Sequence, residues 1–267
     1  MENGNRRPFL QQKNRATIHR VGDNLDFSIH LHNAVELVLM RSGQTTVLYE
    51  GERIELNGGD VFLAFPDRIH GYEDSRDSES ILFIIPVHPH LDEFRDILEH
   101  KLPVEPVLRK GTWEHTRLSQ LLELALADRA EGDKTVHGYA LLIMAKLLPL
   151  FELQDLPSGS TSALQAVLRY LNQHYTQPLT RKELAAAVGY HESYISHLFS
   201  DTLHTTLTDY ITALRIDDAV ELLNYTDLTM GQIAEELGFG SLRSFNRAFF
   251  SRMQMTPSAC RRAVRRG

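Results

Sequence analysis

Between residues 16 and 88 apolar and polar positions alternate in short runs. Segments 26–32, 35–41, 45–49, 53–56, 60–65 and 81–87 are rich in β-branched and aromatic residues, and Gly43, Gly51, Asn57-Gly58-Gly59 and Pro66-Asp67 punctuate them. Alternation at period two, broken by turn formers, predicts strands. This many short strands predict a barrel or sandwich. From Leu91 the period changes. Segments 91–101, 113–130 and 135–153 read as helices, with Leu118, Leu121, Leu122 and Ala125, then Leu141, Leu142, Ala145 and Leu148, at helical spacing. A polar break over 154–162 predicts a linker, and Ala163–Tyr175 opens a second, all-helical region. The expected class is α+β in two domains. A polar arm spans 1–15, the barrel with its helices 16–153, the linker 154–162, and the helical domain 163–267.

The helical domain carries a doubled pattern. From Ile233 to Pro257 the chain reads as a short helix, a tight turn at Gly238 and a longer helix. Ile233, Ala234 and Leu237 make one apolar face, while Phe245 and Phe249, four apart, make another. Leu242, Arg243, Ser244, Asn246 and Arg247 lie away from that face. This is a helix-turn-helix, and arginine and asparagine are the side chains that pair bidentately with guanine and adenine. Leu184 to Phe199 repeats the pattern, with Gly189 for Gly238, Tyr190 for Phe239 and, after a one-residue offset, Ile195, His197 and Phe199 for Phe245, Arg247 and Phe249. Here Ser193, Ser196 and His197 take the outward positions. The stretch from Thr206 to about Asn224 reads as a single connecting helix roughly 28 Å long at 1.5 Å per residue. That length approaches the roughly 34 Å between successive major-groove faces.

These residues resemble the AraC family of bacterial transcription regulators. The likeness covers about 100 C-terminal residues and rests on Ile233-Ala234, Gly238-Phe239, Ser241, Phe245, Arg247, Phe249, Thr256-Pro257 and Arg261, with Leu214-Arg215, Ala219 and Leu222-Leu223 in the connecting helix. Gln254 stands where the family usually has glycine, Phe250 where it often has lysine, and Cys260 where an aromatic is common. The resemblance implies two reading heads on promoter DNA.

Net charge is −7, against a nucleic-acid partner at first sight. The distribution reverses that reading. Residues 241–267 hold seven arginines and no acidic residue, a local basic face. Arg261, Arg262, Arg265 and Arg266 are expected on phosphates, which add affinity without sequence choice. The single cysteine, Cys260, excludes an internal disulfide and suits a reducing cytosol. No apolar run approaches the roughly 20 residues of a membrane span, and the opening Met1–Pro8 lacks the apolar region of a secretory signal.

The barrel has its own signature. His30, His32, Glu36 and Gly43 fit the first cupin motif, and Gly59-Asp60 through Pro66 and His70 resemble the second with altered spacing. In metal-binding cupins such a set converges on one ion, and imidazole with carboxylate suits zinc, iron, nickel or manganese. The same residues, with Phe65 and Tyr72, can instead line a pocket for a small polar ligand, the usual use of a barrel mouth. A barrel that only dimerises or contacts a protein is a third reading.

Together these features predict a cytoplasmic, non-enzymatic transcription regulator without a cofactor. Its partners are double-stranded promoter DNA, a small effector (a sugar or related polar metabolite), RNA polymerase and a second copy of the chain through helices 113–153, with no membrane. The alternatives are a metal-dependent cupin enzyme or metal sensor fused to a DNA-binding module, and a ligand-independent regulator controlled by a protein partner.

Overall fold

The computed structural model describes residues 15–22, 25–111, 113–156 and 162–264. The expected arm over 1–14, residues 157–161 of the expected linker, and Arg265 and Arg266 lie outside the described residues. The chain divides into two compact units between Ser160 and Thr161.

Strand-forming side chains build a seven-stranded antiparallel sheet in the first unit: β1 (Thr17–Gly22), β2 (Phe27–His30), β3 (Ala34–Tyr49), β4 (Glu52–Asn57), β5 (Val61–Ala64), β6 (His70–Pro86) and β8 (Val107–Leu108), in the order β1-β6-β3-β5-β8, with β2 on β6 and β4 on β3. Two long strands dominate. β3 runs 16 residues, joining the segments 35–41 and 45–49 that the pattern separates at Gly43. β6 runs 17 residues and begins at His70, not Ile81. Glu73–Glu79 contains no β-branched or aromatic residue, so its extended backbone is not legible from side-chain type. Register shifts between Met40 and Thr46 break the pairing of β3 with β6 near the middle of both strands, and such bulges bend a sheet. The bend folds the sheet over itself: Phe62 on β5 lies 5.5 Å from the Tyr49 ring and 6.1 Å from the Tyr72 ring, in the other half of the sheet.

Both faces of β3 are buried from Ala34 to Met40, which explains its continuous apolar run. Val35, Leu37 and Leu39 share the outer core with Val61, Leu63, Phe65, Ile81, Phe83 and Ile85. Against them pack α3 (Trp113–Ala127), through Leu118, Leu122 and Ala125, and α4 (Asp133–Leu147), through Val136, Ala140, Ile143, Met144 and Leu147. The buried stripe of α4 is therefore not the expected one: Leu142 is 42% exposed and Ala145 is exposed. Burial follows the 140–143–144–147 row, and the leucine at 142 sits on the opposite side. The short helices α1 (Val87–His90) and α2 (Arg95–His100) follow β6. β7 (Lys101–Pro103) pairs with β9 (Leu153–Asp155), so the segment expected to begin the linker is partly strand.

The second unit contains α5 (Ala163–His174), α6 (Arg181–Val188), α7 (Glu192–His197), α8 (Leu207–Tyr225), α9 (Met230–Glu236), α10 (Leu242–Met253) and α11 (Pro257–Val264). Four of them begin with reciprocal capping boxes: Ser162 with Gln165, Thr180 with Glu183, Thr229 with Gln232, and Ser241 with Ser244. Each box satisfies two otherwise orphaned backbone donors and fixes where the helix starts. α8 has 19 residues, and Thr206 caps it. Its Arg215 reaches three carbonyls, those of Tyr175 (2.7 Å), Gly238 (2.6 Å) and Gln177 (3.0 Å), and lies 5.6 Å from the Phe239 ring. One guanidinium thus ties the chain after α5 to the turn between α9 and α10.

That turn comes close to the chain after α5. Gly238 has φ +73°, and a Cβ there would lie 1.9 Å from the Thr176 carbonyl oxygen, whereas Gly189, at φ +76° in the first motif, has open space. Gly238→Ala is expected to cost more than about 3 kcal/mol, clash added to a left-handed backbone, and Gly189→Ala only about 1–2 kcal/mol. Urea unfolding of both variants decides it; equal losses would show that the close approach carries no weight. Gln254 itself ends α10 at φ +54°. Gln254→Gly should therefore raise stability by about 1 kcal/mol, read in the same titration.

Candidate functional sites: the barrel interior and the recognition helices

The inward face of the bent sheet carries a polar cluster. His30 ends β2, Glu36 lies in β3, and His70 and Tyr72 open β6, while His32 lies in the connection between β2 and β3. The sequence pattern places His30, His32 and Glu36 on one face of a continuous strand. The structure brings them together through the turn at Asn33 instead, because β2 stops at His30. His30–His70 ring centroids are 4.3 Å apart, His32–His70 4.9 Å and His30–His32 5.4 Å. Glu36 is 2% exposed. The Tyr72 hydroxyl donates to its Oε1. His32 Nε2 is 3.1 Å from its Oε2, and His70 Nε2 3.6 Å.

The electrostatics follow from that geometry. Burial alone would push the Glu36 carboxyl up, but His70 and His32 outweigh it and hold it well below the usual carboxylate range. Burial would lower His70, yet Glu36 beside it leaves the imidazole above its ordinary value. Burial first, then Glu36, drives the Tyr72 phenol well above its ordinary value, so it stays a hydrogen-bond donor. Arg41, on the opposite side of β3, does not neutralise Glu36; it pairs with Glu79 and Glu123. The four groups His30, His32, Glu36 and His70 each offer a donor atom, all within 4.8 Å of one another, and all four are buried. Such a set fits a transition-metal ion or the hydroxyls of a polar ligand.

Phe65 does not belong to this site. It is fully buried in the outer core beneath α3 and α4. The parity of β5 decides this: Phe62 and Ala64 oppose Val38 and Glu36, so residue 65 falls on the other face. The aromatic neighbours at the site are Phe27, 4.7 Å from the His30 ring, and Phe62, 6.1 Å from the Tyr72 ring, with Tyr49 behind Phe62 at 5.5 Å. A strict period-two count from Glu36 across the β3–β5 pairing is the signal that finds Phe62.

In the second motif Phe245 and Phe249 are fully buried, and Leu242, Arg243, Asn246 and Arg247 are exposed on α10. Ser244 takes a different role. Its hydroxyl oxygen accepts from the Ser241 backbone N–H at 3.2 Å, which closes the capping box, and the hydroxyl donates to the Ser241 carbonyl at 2.7 Å. Arg261 is also committed inward, donating to the carbonyls of Leu223 (3.3 Å) and Leu228 (2.7 Å), so a side chain expected on phosphate ties α11 to α8 and to the chain that follows it. Arg262 is exposed. In the first motif Ser193 and His197 are exposed, but the Ser196 hydroxyl donates to the Glu192 carbonyl of its own helix, and His197 sits 3.4 Å from Asp201. The pattern-based set omits Tyr190 and Tyr194. They are 39% and 45% exposed and stack at 5.1 Å on the outward side of the turn, whereas Phe239, matched to Tyr190 by position, packs on Phe245 at 5.3 Å. Their spacing of four is the sequence signal for that stack.

Both units have likenesses among known proteins. The sequence model described as AraC-like ligand binding domain matches residues 15–151, and that described as helix-turn-helix domain matches 184–263. The HTH-type transcriptional regulator YisR of Bacillus subtilis is 24% identical over 253 residues, 86% of each chain. The melibiose operon regulatory protein of Escherichia coli is 23% identical over 251 residues, 87% of this chain and 83% of that one. The regulatory protein SoxS of Escherichia coli is 33% identical over 95 residues, 36% of this chain and 89% of its own. The crystal structure of ToxT from Vibrio cholerae shares the fold, with a TM-score of 0.52 at 14% identity over 94% of this chain and 97% of that one.

Arg247 and Arg261 have different surroundings, the first exposed on α10 and the second bonded inward. Arg247→Ala should weaken binding to a native operator by about 1–3 kcal/mol without moving the unfolding midpoint. Arg261→Ala should do the reverse, lowering the midpoint. Binding isotherms and thermal melts of the full chain check both, and an operator affinity unchanged by Arg247→Ala would remove α10 as a reading helix.

Proposed function

We propose that this chain, which belongs to the AraC family of helix-turn-helix transcription regulators, is switched by a small polar effector, a sugar or related metabolite, held by His30, His32, Glu36, His70 and Tyr72. One observation carries the reading: a carboxylate, three imidazoles and a phenol are gathered inside the bent sheet. Buried polar groups cost stability unless paired, and a set larger than its own pairing requires is a recognition surface for hydroxyls. The Phe62 and Tyr49 faces beside it suit a sugar ring. The presence of a melibiose operon regulator among the relatives supports that effector class.

In this reading the second unit docks α10 in a major groove through Arg243, Asn246 and Arg247, while α7 presents Ser193, His197 and the Tyr190–Tyr194 stack to a second groove. The 19-residue α8 spaces the two heads. Two chains associate through the outward faces of α3 and α4, where Leu124 and Leu142 are 50% and 42% exposed. Effector occupancy changes operator geometry and the recruitment of RNA polymerase in the cytoplasm. No helix among the described residues is long and apolar enough to cross a membrane.

His32→Ala and Glu36→Gln should abolish the effector response of a reporter gene while operator affinity stays within about twofold. The measurement pairs reporter expression with operator titration of the same full-length variants, using an operator found by genome-wide binding. A full response in both variants would move the effector elsewhere.

A further inference from the structure

We propose that a cleft on the side of β3 opposite Glu36, between Arg41, Lys110 and α3, binds a small organic anion, a carboxylate or a phosphate ester. The cleft has a volume of about 420 Å³, within the range of metabolite pockets. Leu39 and Met40 give it apolar surface, and Thr116 and Ser119 on α3 give it hydroxyls. None of the groups gathered around Glu36 lines it.

Lys110 carries the argument. An exposed lysine ordinarily swings through water, and ordering it costs conformational entropy. Here the main chain is held. The Lys110 N–H donates to Asp60 Oδ1 at 3.3 Å, and the buried Asp60 also accepts from the Asn57 N–H at 3.0 Å and from Arg109 Nη1 at 2.8 Å. The stem is held as well. It lies over Gly59, at φ +106°, where a Cβ would run into Lys110 Cδ. Gly59 is itself tied on two sides: its N–H donates to the Met40 carbonyl at 2.6 Å, and its carbonyl accepts from His115 Nε2 in the first turn of α3. The ammonium at the end of this ordered stem has no hydrogen-bond or ion-pair partner among the described residues.

Arg41 supplies the second cation. Glu79 takes its Nη1, and Glu123 takes its Nε at 2.8 Å, so the guanidinium is fixed while no described residue pairs with Nη2. Two ordered cationic side chains in one cleft, each with N–H groups to spare, suit an oxyanion. Glu123 also lines the cleft, but Arg41 already balances its charge. The Ser119 hydroxyl donates to the His115 carbonyl at 3.0 Å, which leaves its oxygen to accept from a ligand hydroxyl. The ligand so defined is small, singly or doubly anionic at one end, and partly hydroxylated or apolar along its body.

This site is separate from the effector site in the barrel, so either reading can fail alone. The full-length protein is melted with about 10 mM inorganic phosphate, glycerol 3-phosphate, succinate or, as the neutral control, glycerol, all at one ionic strength set with chloride. We expect at least one of the three anions, and not glycerol, to raise the unfolding midpoint by about 3–6 °C, the shift for a ligand at ten times its dissociation constant. A response to glycerol 3-phosphate alone names a phosphate ester, and one to succinate alone names a carboxylate. Titration calorimetry with the responding anion then compares variants. Lys110→Gln should weaken binding at least about tenfold, and Lys110→Arg should restore it. Lys134→Gln, which removes an exposed lysine on α4, and Glu36→Gln, in the barrel, should leave it unchanged. No shift with any of the three anions would overturn the proposal. So would binding undiminished in Lys110→Gln, and so would loss of binding in Glu36→Gln, which would put the anion inside the barrel.

Discussion

A carboxylate that is 2% exposed organises the first unit. Removing an ionised group from water is tolerable only when positive charge and hydrogen bonds replace the lost hydration. Glu36 obtains them from three directions: a phenol on β6, an imidazole on the connection before β3, and a second imidazole at the start of β6. Those partners meet only if β6 extends back to His70 and the sheet folds over at the bulges between Met40 and Thr46. The length of β6, the bend of β3 and the depth of the polar cluster are therefore one feature. Deleting Glu36 from the sheet would leave a bend with nothing inside it to satisfy.

Arg215 performs the corresponding task in the second unit with the opposite charge. Its three carbonyl partners come from the segment after α5 and from the turn before α10. Carbonyls in turns lack ladder partners, and a fork of fixed donors can satisfy several together. Half-burial lowers the guanidinium's basicity without threatening its charge. The result is a turn held tightly enough that Gly238 admits no Cβ. The exposed Arg243, Asn246 and Arg247 face inherits its orientation from that turn.

Motif spacing made the DNA-binding unit largely legible in the sequence, because several helices begin at a Ser or Thr cap and the buried pairs Ile195–Phe199 and Phe245–Phe249 repeat at four. Side-chain type alone could not say how polar residues are spent. Ser244 and Ser196 look like readers by position, yet one closes a capping box and the other bonds its own helix. Arg261 looks like a phosphate contact, yet it is a strut. In the barrel the identity of His30, His32, Glu36, His70 and Tyr72 was legible, but not the path that unites them. Residue type selected Phe65, which faces the helices, whereas Phe62, on the opposite parity of β5, faces the cluster. The polar stretch Glu73–Glu79 hid half of β6, since a solvated strand carries no apolar alternation to recognise.

The acidic total charge and the DNA-reading unit are compatible for a reason of range. At physiological ionic strength exposed charges are screened beyond about 8 Å. A phosphate approaching α10 therefore responds to the side chains of its immediate surface. The segment from Ser241 to the end of the chain contains seven arginines and no acidic residue. The first motif differs: Glu192 and Asp201 flank His197, and the aromatic pair Tyr190–Tyr194 replaces guanidinium at the outward positions. Phosphate attraction is thus concentrated on the second head, while the first offers flat ring faces and short hydroxyls that gain only at close contact. In the proposed reading such an asymmetry places phosphate attraction on α10 more than on α7. A chain that reads DNA in this way needs no overall positive charge, only a basic patch on one head.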